Sequence, residues 1–275
     1  MDAVHRRGPV FYASLAREQH AKTPKSSLPP CGGGVGWGAS CHEVARLQLH
    51  PPPDPLPSRE GGKTFASGSR DAENCKHLLI STLWDHLMAV ESPLRHHSQS
   101  SSGAAFPIQV VRGLLGRPHL LVGECRGPAI SFSEGGGKVW AALAGDESAI
   151  GIDVAGTDEF LGDYPFHRVF HPHELEHAVN LTGGNLAGAA ALLWSTKEAV
   201  VKALGCAFHL VDQRQITVYP SAGGGGGYTF PVGLTGKARE RFPMAAGSAL
   251  LVRSLPQGKM WLSIALLDRS LEGHE

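Results

Sequence analysis

The order of apolar periods along the chain predicts an α+β protein made of two similar α/β halves that meet near residue 150. Three observations lead there. A helical stretch followed by strands fills residues 69–150, and further helices followed by strands fill residues 151–275. Residues 1–68 carry no sustained period of either kind.

The first 68 residues hold KTPKSSLPP, GGGVGWG and PPPDPLP, whose composition predicts a disordered N-terminal tail. DAENCKHLLISTLWDHLMAV opens on acidic residues, and Leu78, Leu79, Leu83 and Leu87 recur at helical spacing, so one helix is expected. HHSQSSSGA reads as a surface loop, PIQVV as a short strand and GLLGRP as a turn. AISFS, GKVWAALAG and SAIGIDVAG are three strands separated by GGG and GDES, and the last two are expected to form a hairpin. In the second half HELEHAVNL is a short helix, and AGAAALLWSTKEAVVKALG is a longer one that stops at Gly205. QITVYP, YTFPV, SALLVRSL and KMWLSIALLD are strands, the last two joined by PQG, with the glycine run at 223–227 as a loop.

Composition removes several classes of function. Lys plus Arg number 25 and so do Asp plus Glu, so the chain lacks the basic excess of a general nucleic-acid or membrane-surface binder. The five cysteines are scattered and form no C-x-x-C pair, which suits free thiols in a reducing compartment. The N-terminus has no continuous apolar core of the secretory kind, and no apolar run reaches membrane-spanning length. A cytoplasmic location is expected.

Two places put acids where chemistry is possible. In SAIGIDVAG, Ile150, Ile152 and Val154 share one face of a strand, and Gly151 and Asp153 share the other. In WSTKEAVVKALG, Lys197, Glu198, Val201 and Lys202 form one helical stripe, with Glu198 and Lys202 adjacent across a turn. Alone, each has an ordinary explanation: a strand-end turn residue and a solvated ion pair.

Together, Gly151-Ile152-Asp153 followed by Trp194, Ser195, Lys197, Glu198, Ala199, Lys202, Ala203 and Gly205 resembles the signature of the 4′-phosphopantetheinyl transferases. GRP at Gly116–Pro118, ISFSEGG at Ile130–Gly136 and RVFHPHEL at Arg168–Leu175 are similar to further motifs of that family, so the resemblance spans roughly residues 70–265. Chain length matches the larger, two-repeat type that activates surfactin synthetase. The resemblance implies a monomer whose halves are related by a pseudo-two-fold, with the active site in the cleft between them. It implies transfer of the phosphopantetheine arm of coenzyme A to a serine of an acyl or peptidyl carrier protein, as in the activation step of fatty acid biosynthesis. Asp153 and Glu198 would hold Mg²⁺, because a hard cation beside a pyrophosphate takes one or two carboxylates plus phosphate oxygens and water. Glu198, Lys202 and Glu174 are the implied catalytic residues, with Glu174 deprotonating the carrier serine. Arg117, Lys197 and Lys202 are the implied coenzyme A contacts. Two positions depart from the pattern: Ala155 stands where a third acid is common, and Glu134 stands where a histidine commonly meets a phosphate.

Two other functions compete. Ala155 and Glu134 also suit a homologue that binds coenzyme A or a carrier protein without turnover. HELEH at 173–177 fits the zinc-protease pattern H-E-x-x-H, with Glu198 as a downstream third ligand. Against the protease, Pro172 puts His173 in the first helical turn, and Glu176 adds a charge inside the motif.

Overall fold

The computed structural model of the chain describes residues 10–16, 40–42, 69–91, 107–113, 116–144, 149–208, 210–224, 226–247 and 250–267. Strands β1 (Val10–Ala16), β2 (Ser40–His42), β6 (Ala129–Gly135) and β7 (Lys138–Ala144) make a four-stranded antiparallel sheet in the order β2-β1-β7-β6. Helix α1 (Ser69–Glu91) covers one face of it, through Leu79, Ile80, Leu83 and Leu87 packed on Val139, Ala141 and Leu143. Strands β3 (Ile108–Arg112), β4 (Pro118–Val122) and β5 (Cys125–Arg126) form a separate three-stranded sheet.

The second main sheet has six strands. Strands β10 (Ala222–Gly224), β11 (Gly227–Leu234), β12 (Leu250–Gln257), β13 (Met260–Leu267) and β8 (Ala149–Gly156) run in that order, and β9 (Ile216–Val218) also pairs with β11. Its inner face meets the first sheet. Ile150, Ile152 and Val154 of β8 and Leu262, Ile264 and Leu266 of β13 pack against Trp140, Ala142 and Ala144 of β7 and Val10 and Tyr12 of β1. The outer face carries α4 (Leu186–Leu204), while the short helices α2 (Phe166–Val169), α3 (Pro172–Leu181), α5 (Gly236–Arg241) and α6 (Pro243–Gly247) fill in around it. Four layers result: α1, sheet, sheet, α4. This is an α+β arrangement, as the element order predicts.

Helix α4 begins at Asn185, whose side chain accepts the Gly188 N–H at 2.9 Å, and stops at Gly205 in the left-handed region (φ 74°). Between those caps nearly every residue from Gly188 to Ala203 is buried, as befits a helix enclosed on most sides. It lies unusually close to β8. A Cβ on Gly151 would stand 2.6 Å from Ala203 N and nearer still to Ala199 O, so glycine is what lets helix backbone rest on strand backbone.

Three expectations change. Residues 10–16 and 40–42 fall in the segment read as a disordered tail, yet they form β1 and β2, with β1 running beside β7 over its whole length. The rest of residues 1–68 lies outside the described residues, as does the loop expected at 96–104. The hairpin is formed by β6 and β7 through Gly136 and Gly137, not by β7 and β8; β8 crosses to the other sheet and pairs with β13. Gly223, Gly224 and Gly227 of the glycine run lie in strands, with β10 and β11 pairing through Gly224 and Gly227.

Candidate active site

Strand β8 is the edge of its sheet beside β6, and no backbone ladder joins the two. Serine hydroxyls do the work instead. Ser131 Oγ accepts the Ile152 N–H at 3.1 Å and Ser133 Oγ accepts the Val154 N–H at 3.2 Å, so the exposed donors of the edge are satisfied. Ser133 then donates its own proton to Asp153 Oδ1 at 2.8 Å. Alternation along β8 turns Asp153 away from the inter-sheet core and toward α4, as the sequence pattern anticipates.

Helix α4 meets it with Lys202. The Lys202 ammonium donates to Asp153 Oδ1 at 2.7 Å, Ile152 O at 3.1 Å and Phe132 O at 3.2 Å, and Glu198 Oε2 stands 4.0 Å away. Asp153 and Glu198, far apart in sequence, therefore face a single cation-sized position. Asp153 is almost fully buried, whereas Glu198 and Lys202 retain 18% and 28% side-chain exposure, so the group opens to solvent from the helix side.

Charge state follows from these neighbours. Burial disfavours the Lys202 ammonium, but Asp153, Glu198 and Glu134 together outweigh it and raise the Lys202 pKa. Lys202 is thus a fixed positive charge at neutral pH. For Asp153, burial pushes the carboxyl upward, against the Lys202 ammonium, the Ser133 hydroxyl and the Val154 N–H. Farther along, burial also raises the Glu159 carboxyl, with the charges of Asp153 and Asp158 adding to the effect while the Gly156 N–H opposes it.

The other site residues expected from the sequence lie elsewhere. Lys197 and Glu174 are completely enclosed and pair with each other at 2.6 Å. Glu174 also accepts the His171 N–H at 2.8 Å and the Val218 N–H at 3.2 Å. An enclosed ammonium cannot reach a coenzyme A phosphate, and a carboxylate committed to three donors cannot take a proton from a carrier serine. Both expected roles are therefore withdrawn. The reason is helical geometry: Lys197 and Glu198 are one residue apart, so they point about 100° apart around α4. Arg117 lies at the last turn of α4, where its guanidinium donates to Ala203 O at 3.2 Å.

Residues that sequence reasoning passed over complete the surroundings. Ser131 and Ser133 are among them; two serines alternating with apolar residues in ISFS were the available signal. Lys76 on α1 reaches Glu134 on β6 at 3.0 Å and Glu73 at 3.1 Å. The carboxylate at the departing position is thus neutralised by an ammonium from α1. Ala155 is buried in an apolar cluster with Phe160 and Trp194, so a methyl suits that pocket.

In HELEH the central acid is this same enclosed Glu174. His173 is exposed and stacks on His171, while His177 Nε2 accepts the Ser221 N–H at 3.2 Å. Among the described residues no three histidine, cysteine or acidic side chains gather as a metal-ligand set. No helix of the described residues is long and apolar enough to cross a membrane.

No curated protein matches the chain. Residues 149–241 match the family model described as the 4′-phosphopantetheinyl transferase superfamily, whose members transfer a phosphopantetheine group. The matched stretch runs from the start of β8 to the end of α5, and contains Asp153, Glu198 and Lys202. The chain carries a 4′-phosphopantetheinyl transferase superfamily domain over residues 149–241.

Proposed function

We propose that this protein transfers the phosphopantetheine arm of coenzyme A to a serine of an apo acyl or peptidyl carrier protein, acting as a Mg²⁺-dependent holo-carrier-protein synthase. The reading places it in the cytoplasm as a monomer whose halves, 69–150 and 151–275, are related by a pseudo-two-fold. The single observation that carries it is the convergence of Asp153 and Glu198 on the Lys202 ammonium.

The donor set fits the cation the reaction calls for. Two carboxylates, of Asp153 and Glu198, approach the Lys202 ammonium from strand and helix, and hard oxygens of this kind suit Mg²⁺ beside it. Asp153 and Glu198 would hold the ion. When bound, it would screen the pyrophosphate charge and stabilise the leaving phosphate. The chain's own residues do the rest. Ser133 fixes the Asp153 carboxylate by donating to Oδ1. Lys202, charged through the neutral range, offers its ammonium to the phosphate oxygens on the open side of the site. Arg117, just before β4 and hydrogen-bonded to the last turn of α4, is the second phosphate contact. The serine Oγ attacks the phosphorus that bears the pantetheine arm. The bond from that phosphorus to the bridging oxygen breaks, adenosine 3′,5′-bisphosphate leaves with the bridging oxygen, and the serine proton passes to water.

The test is incubation with coenzyme A, Mg²⁺ and an apo carrier protein, followed by mass spectrometry. The carrier is expected to gain one phosphopantetheine group. The buried methyl of Ala155, which leaves the site with two acids, favours a second reading: a homologue that binds coenzyme A or carrier protein without turnover. Binding of coenzyme A with no mass gain on any of several carriers selects that reading.

A further inference from the structure

Four consecutive residues of α4 face three different surroundings. Ser195 Oγ lies 2.7 Å from Ser263 Oγ, and Thr196 Oγ1 lies 2.8 Å from Ser254 Oγ and 2.6 Å from Ser263 Oγ. These hydroxyls hold the helix onto β12 and β13. Lys197 turns to the other flank, where its ammonium donates to Glu174 and sits 5.9 Å from the Phe170 ring. Glu174 is itself anchored by the backbone N–H groups of His171, before α3, and Val218, on β9. Glu198 comes next and faces the site.

An enclosed ion pair is a costly way to hold a helix. Taking both charges from water offsets most of their attraction, and apolar residues of similar volume often serve stability as well. What the pair adds is direction. The hydroxyls fix α4 against the sheet. Beside the apolar contacts that Ala189 to Trp194 make with α3 and Val218, Lys197 adds a polar tie from the middle of the helix to Glu174 and through it to β9. That tie helps set how far the helix leans from them toward β8. Glu198 follows directly in the chain, so a change in lean passes to its carboxylate.

We infer that Lys197 and Glu174 form a positioning pair that aims Glu198 at the cation position beside Asp153. The inference rests on the transferase reading. Neither residue touches substrate; both act through Glu198.

The experiment measures Mn²⁺ binding to the full chain by electron paramagnetic resonance, alongside the melting temperature and the transfer kinetics. Lys197→Met alone strands a buried carboxylate and is expected to lower the melting temperature. The near-isosteric double variant Lys197→Met/Glu174→Gln removes both charges and is expected to recover the melting temperature. It is nevertheless expected to bind Mn²⁺ at least tenfold more weakly and to need correspondingly more Mg²⁺ for half-maximal transfer, with KM for the carrier protein unchanged. Glu174→Asp keeps both charges but shortens the tether, and is expected to weaken Mn²⁺ binding severalfold; it decides the matter if the double variant does not fold. Wild-type Mn²⁺ affinity in a folded double variant, or in Glu174→Asp, overturns the inference and leaves the pair a packing feature. A wild-type chain that binds no Mn²⁺ and modifies no carrier overturns the transferase reading beneath it, a separate and distinguishable result.

Discussion

Gly151 is the point at which packing and chemistry depend on one hydrogen atom. Replacing it with alanine puts a methyl 2.6 Å from Ala203 N, with Ala199 O nearer still, where ordinary contact starts near 3.4 Å. Both neighbours are backbone of α4, so no side chain can rotate out of the way. The helix must move off β8 by on the order of 1 Å, because packed interiors hold few voids to absorb the methyl. Overpacking of this kind costs about 1–3 kcal/mol. For a chain of this size that corresponds to a fall of roughly 2–5 °C in melting temperature. The same shift carries Glu198 and Lys202 away from Asp153, and misplacement of about 1 Å is enough to lower a rate roughly 100-fold. Differential scanning calorimetry and the carrier-modification assay read the two effects on one sample. A Gly151→Ala protein that melts within a degree of wild type and transfers at the wild-type rate would refute the close-approach argument.

Other consequences are open to test. Burial pushes the Cys206 thiol up to about 11. At roughly pH 8 about 0.1% of it is thiolate, against about a quarter of an unperturbed peptide thiol, so alkylation is expected to be more than 100-fold slower. Peptide mapping after iodoacetamide treatment should find the exposed Cys125 modified first and Cys206 last among Cys75, Cys125 and Cys206; rapid labelling of Cys206 contradicts its burial. His177 has its pKa lowered by burial, below the ordinary 6.5. The unfolded chain therefore takes up this proton before the folded one, and the stability present above 6.5 is lost as pH falls through that value toward the folded pKa. Melting temperature should fall more steeply with acid in wild type than in His177→Gln across that window; parallel curves would show that His177 is not the responsible group.

How much of this was legible in the sequence depended on which faces of each element are covered. Helix α1 showed its leucine stripe because one side meets a sheet. Asp153 was readable because β8 alternates strictly: apolar residues enter the inter-sheet core and the others turn to α4. Strand β1 was missed because both its faces are covered, Tyr12 by the second sheet and Ala13 and Leu15 by the side facing α1, so VFYASLA shows no alternation. The β7–β8 hairpin was a natural error, since a short linker favours local pairing and only β13, more than one hundred residues later, competes for β8. Lys197 and Glu198 looked alike in the sequence, as adjacent charges in one motif. What separates them is the enclosure of Lys197 by Phe170 and Glu174, a tertiary fact with no local signature. The serine bridges from β6 to β8 are likewise tertiary: they exist because two sheet edges meet without a ladder.

The central claim is that Asp153 and Glu198 share one divalent cation. Titration of the wild-type chain with Mn²⁺, followed by electron paramagnetic resonance and repeated on Asp153→Asn and Glu198→Gln, addresses it directly. One ion bound per wild-type chain, with binding lost in each folded variant, is the predicted result. Undiminished binding in either variant would contradict it.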